Sequence, residues 1–190
     1  MNKYINHPKC IAVGECGLDY FRLPEDEKEK IENIKKQKEV FIAQIEFAKK
    51  VKKPLIIHIR EASNDSREIL INHDAKQVGG VLHCYNASEH LLPLADNNFY
   101  FGIGGVLTFK NAKKLVEVLP KIPKDKLIIE TDAPYLTPHP HRGERNEPYY
   151  TVFVAQKMAE LLNFTEIEIQ ELTTNNAKKL FKEFSSFSSI

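Results

Sequence analysis

"IAVGECGLDY", residues 11–20, decides the fold class. Ile11, Ala12 and Val13 form an unbroken apolar run, as a strand covered on both faces requires. A carboxylate follows at Glu15, between Gly14 and Gly17 and next to Cys16. A lone Glu where a strand meets the surface is ordinarily a solvated turn residue. Its meaning depends on how the other strands end.

Working outward, the first run is "CIAVGE" (10–15), and four more follow: "KPLIIHI" (53–59), "VGGVLHC" (78–84), "NFYFGIG" (98–104) and "KLIIET" (126–131). All are near-continuous rather than alternating, the mark of a parallel sheet with both faces covered. Helical segments separate them. In residues 24–53, Ile34, Phe41, Ile45 and Ala48 share one helical face, with acids at the start and lysines at the end. Residues 63–72, 88–97 and 111–119 fill the next gaps, with Pro93 limiting the second of these. The β-α-β repeat predicts an α/β fold with right-handed crossovers. Beyond Tyr149 only helices are expected. The last starts at Thr165, which stands at capping-box spacing from Glu168, and runs to about Phe184. One domain over 1–184 and a disordered tail over 185–190 are predicted.

The chain has 190 residues, 42% hydrophobic and 28% charged, with a formal net charge of +1. Such a balance excludes a nucleic-acid binder that works through bulk positive field. It leaves room for an enzyme that grips phosphate with a few arginines and a metal. Cys10, Cys16 and Cys84 are odd in number and lack zinc-knuckle spacing, so reduced thiols in a cytoplasmic protein are expected. The first ten residues carry no apolar signal-peptide core, and no run approaches the ~20 apolar residues of a membrane span.

The strand ends carry the chemistry. The first run ends in Glu15, the second holds His58, the third His83, and Asp132 follows the fifth. Parallel strands aim such residues at one face. A single His in an apolar strand is ordinarily a satisfied core residue. Four metal-ligating types at four of five strand ends are harder to explain that way. Carboxylates and imidazoles bind Zn²⁺, Mn²⁺ and similar ions, and acids at the mouth of an apolar sheet need a cation or a hydrogen-bond partner.

Block by block, "VGECGLDY", "PLIIHIRE", "GVLHCYNAS", "YFGIGGVLTFKNA" and "IIETDAPYLTPHPHRGERNEPYY" resemble the TatD family of metal-dependent nucleases, and "TTNNAKKLF" is similar to its C-terminal helix. The resemblance implies a (β/α)₈ barrel of the amidohydrolase type with one or two divalent ions, Zn, Mg or Mn. It implies Glu15 as a bridging carboxylate and His58 and His83 as ligands of one ion. Asp132 is then the ligand of the other, placed to orient or deprotonate the attacking water. By the family's order the Glu15 strand is the fourth of eight. The preceding His-x-His strand and two β-α units have no counterpart here. An incomplete barrel of about five strands is therefore expected: an open arc with exposed edges and a bare inner wall, prone to self-association. One tightly held ion is expected.

The one His-x-His of the chain, His139 to His141, lies in a proline-rich loop and is read as a loop or substrate-facing element. Arg142, Arg145 and Asn146 in that loop, and Arg60 two residues past His58, are expected to bind substrate, the arginines through phosphate oxygens. Glu144 and Glu147 are read as salt-bridge partners, and Cys84 as a packed thiol. The expected activity is metal-dependent phosphodiester hydrolysis, with single-stranded DNA as substrate and with Asp132 and Glu15 as the catalytic pair. Two alternatives stand beside it: hydrolysis of another ester such as aminoacyl-tRNA, and a remnant or gene fragment that binds metal without efficient catalysis.

Overall fold

A computed structural model of the chain describes residues 4–182, so the tail over 185–190 lies outside the described residues; the last helix ends at Leu180, with Phe181 at its C-cap, short of the expected Phe184. Five parallel strands form one sheet in sequence order: β1 (Val13–Asp19), β2 (Leu55–Arg60), β3 (Gly80–Leu82), β4 (Phe99–Ile103) and β5 (Leu127–Ile129). Each strand pairs with the next, and β1 and β5 do not meet, so the sheet is an open arc rather than a closed barrel.

β1 departs from expectation. It does not end at Glu15 but runs on to Asp19. The β1–β2 register shifts between Val13 and Cys16, then resumes from Cys16↔Ile57 to Asp19↔Arg60. Such an irregularity bends a strand and re-aims a side chain, and Glu15 lies within it.

Strand alternation sorts the side chains. On the outer face, Leu18, Leu55, Ile57, Leu82, Phe99 and Phe101 join the main core. Helix α1 (Glu27–Val51) covers part of that face with Phe41, Ile45 and Ala48, while Ile34 is only half-buried because the first half of the helix is largely exposed. The Asp26 carboxylate accepts from the Glu29 N–H at its start, and Lys52 closes it in a left-handed conformation. Helix α2 (Ser63–Asn72) follows β2. Pro93 sits inside a 3₁₀ segment, Glu89–Asn97, where the sequence suggested a short helix. Helix α3 (Lys113–Val118) precedes β5.

On the inner face, Val81, Tyr100 and Ile128 form an apolar layer with Ile56 beside them. This wall is not bare, as an open arc would suggest. Helix α4 (Thr151–Leu162) leads into α5 (Glu166–Leu180), and Ala177, Leu180 and Phe181 pack over the layer. Thr165 and Glu168 form the capping box that starts α5. Asn176, buried within α5, donates from Nδ2 to the carbonyls of Lys124 and Leu127 and so ties the helix to the start of β5. No helix among the described residues is long and apolar enough to cross a membrane.

Candidate metal centre

One step further along the strands, the inner face turns polar. His58 is two residues past Ile56, His83 two past Val81, Gly102 two past Tyr100, and Glu130 two past Ile128. The alternation that builds the apolar layer thus places a second, ionisable layer directly above it.

The two imidazoles are held in the same manner. His58 Nδ1 lies 3.0 Å from Glu15 Oε1, while its Nε2 lies 3.1 Å from Asp19 Oδ2. His83 Nε2 faces Asp132 Oδ1 at 3.4 Å and Glu15 Oε1 at 3.9 Å, while its Nδ1 is 2.9 Å from Glu130 Oε2. Each ring therefore anchors one nitrogen on a carboxylate outside the cluster and turns the other toward Glu15. An outer carboxylate on the far nitrogen is how metal-binding imidazoles are oriented and made more basic. The hydrogen bond with Glu130, reinforced by the charges of Glu130, Glu15 and Asp132, pushes the His83 imidazole up to about 9 against the opposing effect of burial.

Glu130 is itself held from two sides. Its Oε1 accepts from the Cys84 N–H at 2.7 Å while Oε2 holds His83. This carboxylate lies across Gly102, where a Cβ would come within 2.4 Å of Glu130 Oε2. Glycine at this position makes the room that the Glu130 side chain occupies.

In residue type and ring anchoring the cluster fits a divalent cation. As they stand, no three His, Cys, Asp or Glu side chains among the described residues form a group able to hold one; the imidazoles and carboxylates are bonded to one another instead.

The other expected residues fall as follows. Arg60 lines the same cavity as Glu15, His58, His83 and Asp132, about 570 Å³ in volume, and its guanidinium lies 3.6 Å over the Phe21 ring. Arg142 is exposed and stacks on Phe109 at 3.9 Å. Arg145 is exposed and pairs with Glu147 at 3.5 Å. Asn146 differs from expectation: it is 2% exposed, and its Nδ2 donates to the carbonyls of Thr131 and Tyr135, so both of its side-chain donors go to backbone. His139 meets Phe109 edge-on, and His141 stacks on Tyr150 and pairs with Glu144. Burial, with the nearby acids, pushes the Cys84 thiol up to about 12, which keeps it protonated.

Sequence reasoning passed over Asp19, Gly102 and Glu130. Asp19 follows Glu15 at strand spacing and becomes visible once β1 is extended. Glu130 stands two residues past Ile128, at strand spacing just beyond the end of β5, and two before Asp132. Gly102 carries no sequence signal; its role depends on which side chain crosses it.

The family model described as TatD related DNase matches residues 1–182. An uncharacterized metal-dependent hydrolase of Bacillus subtilis, YabD, is 49% identical over 93% of this chain and 67% of its own length. Its Escherichia coli counterpart in name, YcfH, is 38% identical over 90% of this chain and 62% of its own length. The crystal structure of YJJV, a TatD homolog from Escherichia coli, superposes with a TM-score of 0.80 at 29% identity, covering 90% of this chain and 64% of that one. A TatD family hydrolase of Entamoeba histolytica shares the fold, with a TM-score of 0.72 at 22% identity, over 91% of this chain and 64% of that one. The chain thus spans about two thirds of the length of the proteins it matches.

Proposed function

The chain belongs to the TatD related DNase family, and on that premise we propose that it is a metal-dependent hydrolase of phosphodiester bonds acting on single-stranded DNA. The observation that carries this reading is the paired anchoring of His58 and His83, each with one nitrogen on an outer carboxylate and the other turned to Glu15. Glu15, His58 and His83 would hold a divalent ion. Such an ion, when bound, lowers the pKa of water and polarises a phosphoryl oxygen. Asp132, with Oδ1 beside His83 Nε2, would take the proton of the attacking water.

The rim supports a nucleic-acid substrate. Arg60 offers a guanidinium for phosphate beside the exposed Phe21 ring. Tyr135 lines the cavity and is 71% exposed. Aromatic faces and arginines at a groove are what unpaired bases and their phosphates use. Arg142 and Arg145, exposed on the loop after Asp132, would add phosphate contacts beyond the cavity.

The test uses an end-labelled single-stranded oligonucleotide with Mg²⁺, Mn²⁺ or Zn²⁺. Cleavage that a chelator abolishes is expected, with Asp132→Asn lowering kcat by about 100-fold or more, the range of a lost general base. Absence of metal-dependent cleavage, or full activity in Asp132→Asn, would overturn the reading. Elemental analysis is expected to find one tightly held divalent ion per chain, lost in the His58→Ala, His83→Ala double variant.

A further inference from the structure

Asp132 has a backbone φ of +56°, a left-handed conformation that costs an ordinary residue about 1–2 kcal/mol. Aspartate enters this region more readily than most residues, and the surrounding hydrogen bonds fix the turn it makes. The turn is closed by the Tyr135 N–H donating to the Asp132 carbonyl at 2.8 Å. Asn146 grips the same turn in three places. Its Nδ2 donates to the Thr131 carbonyl at 2.7 Å and the Tyr135 carbonyl at 2.6 Å, and its backbone N–H donates to the Pro134 carbonyl at 3.0 Å.

The Thr131 carbonyl belongs to the peptide plane that leads into Asp132. Fixing that oxygen fixes the plane, and so one side of the Asp132 φ rotation. Both side-chain partners are carbonyl oxygens, so only the amide nitrogen can face them. Asn146 Oδ1 is buried without a partner. A buried amide with an idle oxygen is a local loss, and the residue's two donated bonds are what offset it.

We infer that Asn146 is a positioning residue for Asp132: it sets the direction of the Asp132 carboxylate toward His83 Nε2 without touching substrate. For its effect on turnover this rests on the functional reading above. The backbone clamp itself does not depend on that reading.

The experiment compares Asn146→Ala and Asn146→Asp with the unaltered chain. Aspartate keeps the shape, and in its ionised form it removes both donors and sets an anion against two carbonyl oxygens. Both variants are expected to lower kcat on the labelled oligonucleotide by about 100-fold, as misplacing a reacting group by about 1 Å does, with KM changed less than about twofold. In an Asp132→Asn background, Asn146→Ala should change kcat less than about twofold, since the residue acts through Asp132. Amide exchange on the metal-free protein is the readout independent of activity. The Tyr135 N–H should be protected in the unaltered chain and exchange at least about tenfold faster in the variants, while the amides of β2 and β4 keep their rates. A raised KM at constant kcat would place Asn146 on the substrate and overturn the inference, as would additive effects in the double variant. If neither variant folds, rapid exchange of Tyr135 N–H in the unaltered chain overturns it and protection supports it. A chain without nuclease activity would sink the functional reading and leave the exchange arm to decide the clamp.

Discussion

At the scale of single residues, the centre depends on space as much as on charge. The Glu130 carboxylate reaches both His83 Nδ1 and the Cys84 N–H only because residue 102 has no Cβ. Gly102→Ala should therefore push Glu130 aside and release the His83 ring. Loss of such an outer partner costs about 10- to 100-fold in metal affinity. Isothermal titration of the metal-free protein measures this, and affinity unchanged by Gly102→Ala would show that Glu130 has another route to the ring. That Glu15, His58, His83 and Asp132 meet in space was legible in the sequence because ionisable residues at the ends of apolar runs stand out. Gly102 was not, and Asn146 stood out only as a substrate contact and not as a clamp on a turn. Their roles are set by contacts across the sheet and across a turn, and nothing in the neighbouring residues of the chain encodes those contacts.

At the scale of elements, β-α alternation was readable because parallel strands buried on both faces are written as continuous apolar runs. Segment 63–72 became a helix over those same residues, and Thr165 and Glu168 announced α5 through a local capping pattern. The β1 irregularity was not readable, since a register shift is a property of two strands and not of one. The seating of α5 was equally hidden: its apolar positions say that one face is buried, not which surface receives it. Asn176 is the residue that settles the seating. Its Nδ2 satisfies the carbonyls of Lys124 and Leu127 from a fully buried position. Asn176→Ala leaves the buried Leu127 carbonyl unpaired, at about 1–3 kcal/mol, while the Lys124 carbonyl still accepts from the Leu127 N–H. The expected result is a fall of several degrees in Tm (~2–4 °C per kcal/mol at this chain length), with amide exchange quickening first in α5 and β5. An unchanged Tm would mean that the apolar contacts of Leu180 and Phe181 hold α5 without it.

At the scale of the whole molecule, the open sheet sets the behaviour. β1 and β5 each pair on one side only, and unpaired strand edges are templates for another chain. Two features lessen the exposure. The α5 end covers the inner apolar layer, so the wall opposite the missing side of the arc is not open to water. The Glu130 N–H points to β4, which by alternation turns the Leu127 carbonyl to the outer edge, and Asn176 takes that carbonyl. The relief is local. Beside β5 a cavity of about 480 Å³ opens against α4 and α5, lined by Ile128, Ile129, Val152 and Ala155 among others, and on β1 the Gln37 side chain of α1 caps the outward-facing Asp19 N–H and carbonyl at one end of the edge. Self-association of the 190-residue chain should therefore run through the sheet edges rather than through the inner wall. Light scattering over a range of concentrations should show a mean mass rising from one chain toward two or more. A lysine placed on the β1 edge, as Val13→Lys, would confound folding with association because Val13 is buried. Gly14→Lys is no better, since a Cβ there meets Ile56 at 2.6 Å. The cleaner probe is dilution. If edges drive assembly, it should reverse on dilution, and Tm should fall as the protein is diluted. A monodisperse monomer at every concentration, with one sharp melt, would show that α5 and its Asn176 contacts stabilise the arc sufficiently without a partner.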